Sequence, residues 1–400
     1  QRPPARAPAA WGGLAEGPVP PAARMADPPV EVIVVACVVP VVVVGCCILL
    51  LLTRKFQSLL AYVHWYNWPP YDHTDLARPS PAWARRLAAL LGPTYEGLPE
   101  ASPFSATGPK GIVRGLRVPR TAPGHRVVLY LHGTTGNVAV RHRVELYKLL
   151  AAPPFCCDVV AIDYAGFGRS DGFWPDEDTV VRDALAALEA LPDRRSNVII
   201  WGHSMGTGIA IGAMARLLCG AGAEQPLRPA SDQTPRRGQT RDLCAPLTTS
   251  KLEGGASTVA AASELPLGVI LEAPFLSVPD AAVGYLSRCR LPSRPLRNLL
   301  NLVVRAHRMP SQDRIAGVAR RLPLTVLHGV RDSVIPFDQG RQLAALAGAP
   351  LHSFDRGHDD IVQDPKLVEV LKSVIREWEG LGGKAPHGAS LGAEDGSLAG

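Results

Sequence analysis

The apolar run Val198-Ile199-Ile200-Trp201 leads without a break into Gly202-His203-Ser204-Met205-Gly206, and a second apolar stretch with helical character begins at Gly208. A short apolar run bounded in this way reads as a strand buried on both faces, and the stretch after it as a helix returning across the sheet. Between the two, the glycines allow a sharp turn that other residues resist, and the turn lifts the Ser204 hydroxyl clear of the backbone. A bare Gly-x-Ser-x-Gly is often no more than a glycine-rich turn. Its position between strand and helix is what gives Ser204 a chemical reading.

The same alternation runs through much of the chain. Apolar runs at 127–131, 159–163, 269–272, 324–328 and 351–354 predict further strands, and 181–191 and 208–218 predict helices between them. Strands that alternate with helices imply parallel βαβ units and an α/β fold with a doubly wound, mostly parallel sheet. This domain is expected over 111–379, after a connector at 53–110. Two segments depart from the pattern: 220–264, rich in Gly, Pro, Ser, Thr and Arg, is expected as a long surface insertion, and 276–322 has the length and helical character of a lid. The lid stretch carries Arg288, Arg290, Arg294, Arg297, Arg305 and Arg308 among apolar residues, which suits either lipid headgroups or a solvated basic face. Residues 1–31 and 380–400 lack apolar periodicity and are expected to be disordered.

From 32 to 52 every residue is apolar or small. At roughly 1.5 Å per residue, such a run spans a hydrocarbon core of about 30 Å, so a single transmembrane helix is expected there. The first methionine is Met25, and it is the expected translation start. Arg54 and Lys55 follow the run while Asp27 and Glu31 precede it, so the charge rule places the large domain in the cytosol. Tyr62, Trp65, Tyr66 and Trp68 fit an interfacial aromatic belt, and ordinary packing accounts for them as well.

The formal charge of +6 suits an anionic partner. With no zinc-finger spacing or nucleic-acid module beside the arginines, a membrane surface is favoured over nucleic acid. Of the eight cysteines, Cys37, Cys46 and Cys47 lie in the apolar run, and Cys156, Cys157, Cys219, Cys244 and Cys289 show no ligand spacing, so no metal site is expected.

A hydroxyl is a weak nucleophile at neutral pH and needs a base, which in turn needs an acid to fix its tautomer. After such an elbow the acid and then the base follow in chain order. The strand at 324–328 ends in Gly329-Val330-Arg331-Asp332, which makes Asp332 the expected acid, ahead of Asp313 and Asp355. The strand at 351–354 leads to His358, the expected general base; His328 and His352 lie within strands and read as structural. The oxyanion formed by attack on a carbonyl needs preorganised donors. The backbone N–H of Met205 and that of Thr134, in the loop after 127–131, are the expected pair. No cofactor is required.

Taken together, Leu129-Tyr130-Leu131-His132-Gly133, the run from His142 to Lys148, Asp163-Tyr164-Ala165-Gly166-Phe167-Gly168-Arg169-Ser170, Trp201 to Gly208, Leu271-Glu272-Ala273-Pro274-Phe275 and Val334-Ile335-Pro336-Phe337 resemble the membrane-anchored abhydrolase lipases. These enzymes cleave monoacylglycerols and lysophosphatidylserine. The resemblance implies an α/β-hydrolase fold, a single-pass endoplasmic-reticulum anchor and an active site facing the lumen, opposite to the side given by the charge rule. It also implies a serine hydrolase acting on lipid acyl esters. The departures are the insertion after Leu218, Ala165 where the family usually has Arg, and a truncated region before the first strand. Two rival readings are a depalmitoylating thioesterase and a catalytically silent membrane adaptor; the second is disfavoured because every expected catalytic position holds a competent residue.

Overall fold

The computed structural model describes residues 53–219, 265–286 and 293–381. The apolar run at 32–52, the insertion at 220–264, the tail at 382–400 and the lid arginines Arg288 and Arg290 lie outside the described residues. Among the described residues, no helix is long and apolar enough to cross a membrane.

An eight-stranded sheet organises the domain: β1 (Ser102–Gly108), β2 (Gly111–Val118), β3 (Val127–Leu131), β4 (Asp158–Asp163), β5 (Val198–His203), β6 (Gly268–Glu272), β7 (Leu324–Gly329) and β8 (Leu351–Phe354). Their spatial order is β1-β2-β4-β3-β5-β6-β7-β8. The pairs β1/β2 and β2/β4 are antiparallel and all others parallel. All six expected strands are present. The two that periodicity missed are β1, largely exposed and rich in Ser, Thr and Gly, and β2, whose apolar residues are interrupted by Arg114, Gly115 and Arg117. Residues 102–108, placed in the connector on sequence grounds, therefore form the sheet's edge strand.

Strand alternation sorts the core into two layers. Val127, Leu129, Leu131, Val198 and Ile200 face one side, together with α4 (Glu177–Ala190), α5 (Met205–Cys219), α8 (Ser311–Ala319) and α9 (Phe337–Ala347). Val128, Tyr130, Ile199 and Trp201 face the other, against α3 (Arg141–Ala151) and α10 (Lys366–Gly380). Coverage on both faces explains why the central strands read as unbroken apolar runs. Before the sheet lie α1 (Arg54–Tyr62) and α2 (Ala82–Leu91); between β6 and β7, α6 (Val278–Leu286) and α7 (Ser293–Val303) precede α8.

Helix α1 is held to the domain by polar contacts. Gln57, fully buried, accepts from the Ala306 amide at 3.1 Å, and Ser58 Oγ donates to the Pro175 carbonyl at 2.6 Å. Tyr62 is also fully buried, edge-on to His307. Packing thus accounts for Tyr62, and for Trp68 at 8% exposure, while Trp65 at 65% remains free for an interface.

The connection from β3 crosses to β4 on one side, and the chain then returns to β5 on the other. The carboxyl ends of β3 and β5 therefore flank a topological switch point, where their loops diverge and leave a crevice. Ser204 follows β5 and Thr134 follows β3.

Candidate active site

Ser204 sits between β5 and α5 with φ of +52°, a left-handed conformation that costs a non-glycine residue about 1–3 kcal/mol. Local bonds hold it there. Its amide donates to the Glu272 carbonyl on the adjacent strand at 2.9 Å, and its own carbonyl accepts from the Thr207 amide at 2.9 Å and the Thr207 hydroxyl at 2.6 Å. Gly206 is required by close approach: a Cβ there would lie 1.9 Å from the Leu131 carbonyl oxygen.

Three residues far apart in sequence meet at this turn. His358 Nε2 lies 2.9 Å from Ser204 Oγ, and His358 Nδ1 lies 2.7 Å from Asp332 Oδ2. The other carboxylate oxygen of Asp332 accepts from the amides of Val334 and Ile335 at 2.7 and 2.8 Å. Of the competing acids, Asp355 is exposed and paired with Arg331, and Asp313 lies in the first turn of α8. His328 is more than a packing residue: it is fully buried, with Nε2 3.3 Å from Asp332 Oδ2 and 3.1 Å from the Ile335 carbonyl.

The electrostatics suit proton transfer. Burial alone would raise the Asp332 pKa, but hydrogen bonds from His328, His358 and the Val334 amide hold the carboxyl well below the usual carboxylate range. Burial lowers the pKa of His358, and the hydrogen bond and charge of Asp332 overcome this to raise it above 6.5. Buried Glu272, hydrogen-bonded by Trp201 Nε1 at 2.8 Å, is pushed up to about 7 by desolvation. Only the neutral imidazole can act as base, so activity should rise with pH as His358 loses its proton. The acid limb of kcat/KM is expected above pH 6.5, and Glu272→Gln should keep the limb while lowering it slightly, because the Glu272 charge helps to raise His358; loss of the limb in that variant would assign it to the carboxyl.

Met205 opens α5, so its N–H has no acceptor within the helix. The loop after β3 passes close by: a Cβ on Gly133 would lie 3.1 Å from Ser204 Cβ. Thr134, in that loop, donates its hydroxyl to the Ala61 carbonyl of α1 at 3.1 Å.

Buried polar groups that sequence spacing did not reveal stiffen this loop. Arg143 donates to the Asn137 carbonyl at 2.7 Å and to the Thr135 carbonyl at 2.8 Å. Asp163 accepts from Tyr71 at 2.6 Å and the Val138 amide at 2.9 Å, and lies 3.3 Å from His132 Nε2. Both residues occur in the motifs quoted above, which was the available signal. A cavity of about 580 Å³ opens beside the site, lined by Tyr66, Trp68, His142, Arg143 and Asp359 among others, but Ser204 is not in its wall.

Residues 128–370 match the model of the alpha/beta hydrolase family. The chain belongs to the α/β hydrolase family. Among curated relatives, lysophosphatidylserine lipase ABHD12 of Macaca fascicularis is 28% identical over 277 residues, 64% of this chain and 58% of that protein. Protein ABHD12B of Homo sapiens is 28% identical over 271 residues, 64% of this chain and 62% of its own length. The chain thus spans less than two thirds of the length of these relatives. An alpha-beta hydrolase from Vibrio vulnificus superposes with a TM-score of 0.52 at 17% identity, over 80% of this chain and 92% of that one, a likeness of fold.

Proposed function

We propose that this α/β hydrolase is a serine carboxylic-ester hydrolase acting on lipid acyl esters, with lysophosphatidylserine or monoacylglycerol as its substrate. The observation that carries the reading is the continuous relay from Ser204 Oγ through His358 to Asp332, at 2.9 and 2.7 Å. In this reading Ser204 attacks the acyl carbonyl while His358 takes its proton, and the Met205 and Thr134 amides meet the oxyanion. The imidazolium then protonates the leaving alcohol, and water activated by His358 hydrolyses the acyl-enzyme. Asp332 keeps the Nδ1 proton in place and stabilises the charge throughout.

The lipid assignment draws on the lysophosphatidylserine lipase activity for which the ABHD12 relatives are named, and on two features of this chain. Leu299 and Leu302 of α7 are 56% and 50% exposed, and Arg294 and Arg305 are exposed at either end of that helix. Ile315 and Val318 of α8 are in the core, so α8 is left out of the proposed lid. Arg297 pairs with Asp280 at 3.0 Å, which leaves Arg294 and Arg305 for headgroups. The apolar run at 32–52 is the proposed membrane anchor, in the endoplasmic reticulum by family resemblance.

The test is fatty-acid release by the purified full chain in mixed micelles from lysophosphatidylserine, monoacylglycerol, a short soluble ester and an S-palmitoyl peptide. Turnover of one or both lipids at least about tenfold above the other two is expected, a preference of about 1.4 kcal/mol. Hydrolysis of the short ester alone would overturn the lipid assignment, and preference for the thioester would make the chain a depalmitoylase.

A further inference from the structure

Beside the relay lies a second cluster that hydrolysis does not use. His142 on α3, His203 immediately before Ser204 and Asp359 immediately after His358 converge, with one donor atom from each within 4.8 Å of the others. His142 Nε2 and His203 Nε2 each stand 3.6 Å from Asp359 Oδ1. That is too far for an N–H···O hydrogen bond, for which about 2.7–3.2 Å is usual. It is close to the separation of about 3.4 Å between two ligands on one tetrahedral dication with bonds of about 2.0–2.1 Å. Among the described residues His142 Nε2 is buried with no hydrogen-bond partner, and the side chain of His203 is only 2% exposed. His142 and Asp359 also line the cavity of about 580 Å³, and the Asp359 side chain is 56% exposed, which gives an ion a way in.

We propose that His142, His203 and Asp359 form a binding site for a transition-metal dication of the zinc class, and that the bound ion inhibits hydrolysis. Two imidazoles and one carboxylate select this class over magnesium and calcium, which prefer all-oxygen shells. Inhibition follows from what the ligands do without metal. His203 Nε2 lies 3.1 Å from the His358 carbonyl, a contact that seats the loop carrying the base. Ion binding at that nitrogen requires the tautomer with the proton on Nδ1, which has no hydrogen-bond partner among the described residues, and so ends the contact with the His358 carbonyl. It also places a double positive charge one residue from His358, opposing the imidazolium that must form when Ser204 attacks. Ion binding stands by itself; the inhibitory half rests on the function proposed above.

The experiment uses the full chain, purified without a polyhistidine tag and kept reduced, in equilibrium dialysis against micromolar zinc sulfate. Ser204→Ala, His142→Gln and Asp359→Asn are dialysed alongside, with thermal unfolding as the check on folding. One equivalent bound by wild type and by Ser204→Ala, at least about tenfold weaker in both ligand variants, is expected. Ester hydrolysis by wild type should fall at least about tenfold with zinc, recover on chelation, and be insensitive to zinc in His142→Gln. Asp359 is exposed, so Asp359→Asn remains informative should His142→Gln fail to fold. No binding, or binding equal in wild type and both variants, as at Cys156, Cys157 or Cys219, would overturn the site. Binding that depends on the ligands but leaves hydrolysis unchanged would overturn the inhibition. Such binding by a wild type that hydrolyses nothing would sustain the site and remove the proposed function instead.

Discussion

Replacing Ser204 with alanine is expected to abolish fluorophosphonate labelling and to lower kcat by on the order of 10⁴-fold or more, with the fold unchanged. The hydroxyl is the only group lost. Alanine keeps the Cβ and the φ of +52°, and the backbone bonds that hold the turn, to Glu272 and Thr207, do not involve the side chain. The residue is only 6% exposed, and among the described residues its Oγ is bonded to His358 alone, so stability should shift by no more than about 1 kcal/mol. Labelling with a fluorescent probe, ester turnover and thermal unfolding measured together separate a lost nucleophile from a lost fold. A variant that retains a tenth of wild-type turnover would move the nucleophile elsewhere.

Asp332→Asn should cost on the order of 10⁴-fold in kcat while leaving KM within a few-fold, although the two side chains have the same shape. The amides of Val334 and Ile335 both donate to Asp332 Oδ1, so an asparagine there keeps its carbonyl on that side. Its NH2 then faces His358 Nδ1 in place of Oδ2, a carboxylate oxygen that accepts at 2.7 Å. The imidazole must take the tautomer with its proton on Nε2, and that nitrogen can no longer accept from Ser204 Oγ. The same NH2 faces His328 Nε2, 3.3 Å from Oδ2, so a stability loss of about 1–3 kcal/mol is expected as well. Pre-steady-state measurement of acyl-enzyme formation checks the assignment. A fall confined to deacylation, or one below about tenfold, would leave Asp332 a structural residue and reopen the choice of acid.

These expectations rest on features of very different legibility. The central strands and the turn at Ser204 were visible in the sequence because both are local: a strand buried on two faces is a continuous apolar run, and a left-handed turn between strand and helix needs glycine at fixed offsets. Asp332 and His358 were legible for a related reason, since strand-end loops of a parallel sheet open on one edge and chain order then names the acid and the base. Strands β1 and β2 were not. β1 is largely exposed and rich in Ser, Thr and Gly, and the apolar residues of β2 are interrupted by Arg114, Gly115 and Arg117, so neither is a continuous apolar run; their places are set by the register of β1 on β2 and of β2 on β4.

What the tertiary structure decided is which distant groups touch. No spacing brings Arg143 to the carbonyls of Thr135 and Asn137, His328 to Asp332, or His142 to His203 and Asp359. Nor does any spacing tell buried Tyr62 and Trp68 from exposed Trp65. Sequence by itself pointed to the six strands β3 to β8, the turn and the three residues that meet in the relay, because backbone geometry and burial act on neighbours along the chain. The second cluster of side chains, the buttress beneath the loop after β3 and the seating of α1 were settled by strand order and register, which bring together residues that share no local signal.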